Sequence, residues 1–275
     1  MRTQSYPSDL TDEQWRLVEP RLPAAPVGGR PRKADLRDVV DAIFYILRTG
    51  CQWRYVPKDF PPKSTVWRYF KSWRDDGTLD ALHDLLRTKV RTQEKPYSPR
   101  TTASVESQSV DTTSGGEQRG RDNAKNVDGR KRHIVVDSLG LLLAVRVTAA
   151  SVDDAAAAQL LFPRLEGQPM GKVTRMFADG KSHNHALYQW VEEHARWDLV
   201  IVRRPDGAKG WVKLPIRWTV ERTFAWVGQC RRLTKDREKT VASSEAFVKL
   251  AMIHLMLNRL APKNADTEFQ YHTAA

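Results

Sequence analysis

Lys131-Arg132-His133-Ile134-Val135-Val136-Asp137-Ser138-Leu139-Gly140, running on through Leu141 to Val147, is the stretch whose reading decides the fold. Ile134-Val135-Val136 and the run from Leu141 are β-prone, and Asp137-Ser138-Leu139-Gly140 between them is turn chemistry, so two strands joined as a hairpin are predicted. Val105 to Val110 alternates and predicts a strand ahead of them. Downstream, Ala155 to Leu165 reads as helix and Val173 to Ala178 as a short buried strand ending at Asp179-Gly180. Ala186 to Ala195 reads as helix, Leu199 to Val202 as a fifth strand, and Trp218 to Val227 and Ser244 to Leu260 as helices. Three strands followed by alternating helices and strands predict an α/β sandwich around one mixed sheet, spanning residues 103–260.

The region upstream has a different period. Thr11-Asp12-Glu13-Gln14 opens a helix as a capping box, and Pro20 ends it. A basic loop with Arg30, Arg32 and Lys33 follows. Asp35 caps a core helix whose Leu36, Val39, Val40, Ile43, Phe44 and Leu47 recur every three or four residues, and Thr49-Gly50 stops it. Ser64 or Thr65 opens a third helix that buries Val66, Tyr69 or Phe70, and Trp73, and shows Trp67, Arg68, Lys71 and Arg74 outward. A fourth runs from Thr78 to about Val90. Residues 1–95 therefore read as an all-α, helix-turn-helix-like domain, with a plain helical bundle bearing a solvated charged face as the alternative. The polar stretch 96–102 reads as a linker and 261–275 as a frayed tail.

The 275 residues carry 45 Lys+Arg against 33 Asp+Glu, a formal charge of +12. Such a surplus points first to a polyanionic partner, with solubility second and an anionic membrane last. The first hundred residues hold 19 basic and 13 acidic side chains, a surplus of six, and 203–239 holds eleven against four. No stretch is apolar enough to span a membrane and the N-terminus lacks a signal-peptide core, so a cytoplasmic protein is expected. Cys51 and Cys230 have no metal-site spacing and read as reduced side chains.

Three acids stand where such a sheet can gather them: Glu106 on the first strand, Asp179 at the tip of the fourth and Glu221 in the helix after the fifth. Carboxylates converging on two divalent ions are what metal-assisted phosphodiester chemistry requires. Asp179 can equally be a turn residue before Gly180, and Arg217 with Glu221 a surface ion pair one helical turn apart. His133 reads as a packing or phosphate-facing residue, the His183 and His185 pair lacks a third ligand, and Asp137 reads as part of the hairpin turn. No phosphate-binding glycine loop and no convincing Ser/His/Asp set is present.

From Leu10 to about Leu260 the chain resembles insertion-sequence transposases of the DDE class, in the bacterial branch with an N-terminal helical DNA-binding region. The resemblance is carried by Glu106-Ser107-Gln108-Ser109-Val110, by Gly129 to Gly140, by Phe177-Ala178-Asp179-Gly180 and by Arg217 to Trp226. Leu10 to Trp15, Gly29 to Arg32 and Gly50 to Arg54 add to it. It implies an RNase H-like catalytic domain and Glu106, Asp179 and Glu221 as catalytic metal ligands. It also implies two Mg²⁺ ions, with Mn²⁺ as substitute, and DNA cutting and strand transfer at the element's terminal inverted repeats. Double-stranded DNA, as element end and as target, is the implied partner, met by a homo-oligomer on the bacterial nucleoid. Expected DNA contacts are Arg30, Arg32, Lys33, Arg68, Lys71, Arg74, Lys131, Arg132, Arg217, Arg222, Arg231 and Arg232. The sequence departs from the family at Glu106, where an aspartate is usual, at Asp111 for a lysine, and at Lys181-Ser182 for Gly-Tyr. Those departures leave open a transposase-derived DNA-binding protein that no longer cuts, and, further off, a non-mobile nuclease of the same fold.

Overall fold

The computed structural model describes residues 6–24, 28, 32–94, 102–113, 115–166, 173–179, 185–202 and 217–263. Arg30, the linker up to residue 101, Gly180 to His183, the tail from residue 264 and the side chain of Arg217 lie outside them. Helix α1 (Asp12–Val18) begins on the expected capping box: Gln14 N–H donates to Thr11 Oγ1 at 3.1 Å, and Gln14 Oε1 accepts the Thr11 N–H at 3.3 Å. Asp35 caps α2 (Leu36–Thr49) by accepting from Arg37 N–H at 2.8 Å. That helix ends on Gly50, whose φ of +70° suits glycine and whose N–H donates to Ile46 O. Helices α3 (Lys63–Asp75) and α4 (Thr78–Glu94) follow. On α3, Val66, Phe70 and Trp73 are buried while Trp67, Arg68 and Lys71 face solvent, as the periodicity predicts.

The sheet is built from β1 (Thr102–Asp111), β2 (Gly120–Asp122), β3 (Val127–Asp137), β4 (Leu142–Ala149), β5 (Arg175–Asp179) and β6 (Asp198–Val202). β3 pairs antiparallel with β1 on one side and with β2 and β4, end to end, on the other. β1, β5 and β6 run parallel. An antiparallel meander that turns parallel after its first strand is the order of an RNase H-like sheet. Helices α5 (Asp154–Leu161) and α6 (His185–His194) pack on one face, while α7 (Arg217–Gly228) and α8 (Val241–Leu260) pack on the other. Strand β2 was not expected, because three residues of Gly, Arg and Asp carry no alternation to read.

The two segments distinguished by period share one hydrophobic core. Helix α8 buries Ala246, Phe247, Val248, Leu250, Ala251, Met252, Ile253, Met256 and Leu257, which leaves it almost no solvent side. It fills the space between β4 and the N-terminal helices: Phe247 stacks on Phe70 of α3 at 5.0 Å, and Phe44 of α2 meets His254 at 5.3 Å. Gln14 of α1 donates to Asn258 Oδ1 and to Ala261 O, both at 2.9 Å. Among the described residues no helix is long and apolar enough to cross a membrane.

Candidate active site

β1 and β5 are hydrogen-bonded in register from Thr102 opposite Arg175 to Ser104 opposite Phe177. Continuing that register by two residues sets Glu106 level with Asp179, on neighbouring parallel strands at the carboxyl end of β5. Side chains in register point to one face, and here it is the face of Ile134 and Val136, the partners of Glu106 and Ser104 on β3. Helix α7 lies over it, packed on β1, β3 and β5, with Val220, Phe224 and Val227 buried and Glu221 exposed. The topology thus puts Glu106 and Asp179 on the face that α7 covers, with Glu221 exposed on that helix. Glu106 Oε1 accepts the N–H of Ser107, the next residue of its own strand, at 3.1 Å. Among the described residues no group of three or more His, Cys, Asp or Glu side chains is close enough together to hold a metal ion.

α7 is locked in place by residues that flank Glu221. The Arg222 guanidinium is sandwiched between the rings of Trp218 and Trp226, 4.2 and 4.6 Å from their centroids, and donates to Leu139 O at 3.0 Å. Thr223 Oγ1 donates to Gly140 O at 2.8 Å. Both clamp the β3–β4 turn, where Gly140 has φ +79° and an added Cβ would lie 2.9 Å from Thr223 Oγ1 and from Trp226. Asp137 closes that turn, as expected, by accepting from Leu139 and Leu141 N–H groups, and its other oxygen is bound by the buried Arg91 of α4.

Several expected DNA contacts turn inward instead. Arg132 is fully buried and donates to Leu233 O at 2.7 Å, and burial pulls its guanidinium below the ordinary value. Arg232 is held by Glu238 at 2.6 Å and by Cys51 O at 2.9 Å, while burial pushes the Glu238 carboxyl up. Lys131 donates to Val152 O at 2.9 Å and faces Asp154 at 3.3 Å. Arg74 is bound to Asp75 and to Ser243, at 2.6 and 2.7 Å. With Arg222 between two tryptophans, these five cations hold the protein together and are withdrawn from the DNA-facing set. Lys33, Arg68, Lys71 and Arg231 are exposed, and Arg32 is half-buried against Pro23 O.

Sequence reasoning missed Arg130, which is buried between Asp236 (3.1 Å) and three backbone carbonyls of residues 117, 238 and 239. It also missed Asp154, which accepts from Ser107 Oγ at 2.8 Å. β3 is covered on both faces, so alternation could not mark which of its basic residues point inward.

His133 sits beside Asp154, its Nε2 2.9 Å from Thr148 Oγ1, and burial holds its pKa down to about 4. The unfolded imidazole titrates near 6.5 and so binds the proton more readily. Stability then falls as pH drops from about 6.5 to about 4, and this histidine adds no pH dependence above that window. In urea titrations His133→Gln is expected to reduce that acid loss by up to about 3 kcal/mol. His254, also held near 4 by burial, accounts for part of the remainder. An undiminished loss in His133→Gln would place the proton uptake elsewhere.

The family described as "Transposase DDE domain" matches residues 97–256, and the family described as "Putative transposase of IS4/5 family" matches residues 10–83. In Burkholderia cepacia, the "Insertion element IS402 uncharacterized 16.2 kDa protein" is 31% identical over 122 residues, 41% of this chain and 79% of its own length. The "Putative transposase for insertion sequence element IS402" of the same organism is 31% identical over 140 residues, 48% of this chain and 64% of that protein. The chain thus spans just under two thirds of this second relative. Among solved structures, that of the Mos1 strand transfer complex aligns over 86% of this chain and 79% of the other, with 12% identity and a TM-score of 0.30. With the DDE domain covering more than half of its length, the chain belongs to the DDE transposases, of the IS4/5 type.

Proposed function

We propose that this protein binds the terminal inverted repeats of its own insertion sequence and cuts and joins DNA strands, with Glu106, Asp179 and Glu221 holding two Mg²⁺ ions, or Mn²⁺ in their place. The observation that supports this reading is the register of β1 and β5, whose continuation two residues beyond Ser104 and Phe177 runs to Glu106 and Asp179, beneath the helix that bears Glu221. Three carboxylates and no softer donor suit a hard divalent cation. The fit is complete in donor chemistry and incomplete in closure, since no three of these groups yet converge. Bound there, divalent ions would supply an activated oxygen nucleophile and charge neutralisation at phosphorus. The chain's own contribution is positional. Arg222 and Thr223 hold α7 and with it Glu221, and Lys33, Arg68, Lys71 and Arg231 present cations to phosphates. Arg30, Arg32 and Arg217 belong to the same proposed contact set, and the protein acts as a homo-oligomer that holds element ends and target duplex together.

A second reading, a transposase-derived protein that binds DNA and no longer cuts, is favoured by Glu106 and its bond to its own neighbour. One substitution separates the two. Glu106→Asp restores the carboxylate length that the family uses, and an acid moved by about 1 Å changes metal-site rates on the order of a hundredfold or less. Glu106→Asp is expected to raise Mg²⁺-dependent nicking of a duplex bearing the element's ends by roughly tenfold, about 1.4 kcal/mol of transition-state stabilisation. If neither form nicks that duplex with Mg²⁺ or Mn²⁺ while both bind it, the cutting reading falls and the binder stands.

A further inference from the structure

Two aromatic rings stand exposed on the N-terminal helical layer, and neither is used by the cutting site. Tyr55 is 65% exposed and Trp67 of α3 is 38% exposed. Trp53 joins them: it belongs to the same helical turn as Tyr55, and its ring lies edge-on to Trp67 at 4.9 Å. A cation lies over the first ring, the Arg54 guanidinium being 5.1 Å from the Tyr55 ring centroid, and a second, Arg68, is exposed next to Trp67 in the chain and lies over the Tyr69 ring at 5.8 Å. The C-terminal segment adjoins the turn that leads into Trp53. An added Cβ at Gly50 would lie 3.0 Å from the Arg231 backbone, and Arg232 donates to Cys51 O at 2.9 Å, so the exposed Arg231 side chain leaves from the adjoining turn. Arg54 Nε donates to the neutral Gln52 Oε1 at 2.7 Å, and Arg68 and Arg231 are exposed, so these charges face solvent, where an anion can meet them.

Cations alone suit the phosphates of a duplex, whose base faces are hidden in the stack. Exposed rings alternating with cations suit unpaired nucleotides, because every free base offers a face to stack on and a phosphate to neutralise. We propose that Tyr55 and Trp67 form a stacking platform for a single-stranded segment of DNA adjoining the bound duplex, with Arg54, Arg68 and Arg231 along its backbone. The inference rests on DNA being the substrate.

The test uses the full-length protein and fluorescence anisotropy with two probes of arbitrary sequence. One is a blunt duplex of about 20 base pairs, and the other is the same duplex with a tail of about six unpaired nucleotides, within the usual site size for stacking surfaces. The native protein is expected to bind the tailed probe about tenfold more tightly or better. Tyr55→Ala should remove most of that gain and leave blunt-duplex affinity unchanged, while Tyr55→Phe should keep the gain. Trp67 packs on Phe70 at 5.5 Å, so Trp67→Phe, expected to keep at least part of the gain, is the safer companion to Trp67→Ala. A blunt duplex bound as tightly as the tailed one, or an equal loss on both probes in Tyr55→Ala, would overturn the platform while leaving the DNA reading intact. Native protein that binds neither probe at low salt would overturn both.

Discussion

Asp179→Asn is expected to lower metal-dependent nicking of element-end DNA by about a thousandfold or more, roughly 4 kcal/mol of transition-state stabilisation, while DNA affinity stays within about twofold. The amide keeps the size of the carboxylate and removes its charge, so the end of β5 and its pairing with β6 are retained. Metal affinity is what it loses, because a neutral amide oxygen is a far weaker ligand for a hard divalent ion. Glu221→Gln should behave alike, since Arg222 and Thr223 hold α7 on the β3–β4 turn. Gel-resolved nicking and anisotropy on the same duplex check both halves. Cutting that survives either substitution at more than about a tenth of native rate would remove that acid from the site.

Residues 1–95 produced alone are expected not to fold. Phe44, Phe70, Trp73, Leu79, Leu82 and Leu86 are buried in a core that α8 completes from the other end of the chain. Each large apolar side chain returned to water costs about 1.5–3 kcal/mol. Exposing several of them exceeds the 5–15 kcal/mol or so that holds a whole domain. Gln14 also loses both of its partners on α8 and just after it. Far-UV circular dichroism should show little helix and no cooperative melt for the fragment, against a cooperative transition for the full chain. Within the full chain, Phe247→Ala should cost about 3–5 kcal/mol, because its ring packs on Phe70 and lies under the Arg232 guanidinium. A fragment that melts cooperatively would show that the N-terminal helices own their core.

The sequence made the elements legible wherever one face of an element is wet. The capping box at Thr11, the Gly50 stop and the 3.6-residue period of α2 and α3 are local facts, and they appear as read. So does the Asp137 turn. The shared core was not legible, because a change of period along the chain marks a change of architecture and carries no information on which surfaces meet. Helix α8 gave the one hint: apolar residues on every side mean a helix buried between layers. The basic run Lys131-Arg132-His133 misled for a related reason. In a strand covered on both faces, charge does not mark a solvent side, and these residues turn inward to Val152 O, Leu233 O and Thr148 Oγ1. Glu106 and Asp179 were legible as candidates from residue type and position, whereas their common level on neighbouring strands depends on pairing between segments some 70 residues apart.

On the proposed function, Glu106, Asp179 and Glu221 gather on one divalent metal centre when DNA is bound. Iron-mediated backbone cleavage tests it most directly: Fe²⁺ replaces Mg²⁺ in the protein–DNA complex, ascorbate and peroxide are added, and the protein fragments are mapped. Hydroxyl radicals cut the polypeptide close to where they form, so cuts should fall together near residues 106, 179 and 221, fade with excess Mg²⁺ and vanish in Asp179→Asn. Cuts confined to one of the three segments, or unchanged by Asp179→Asn, would contradict the claim.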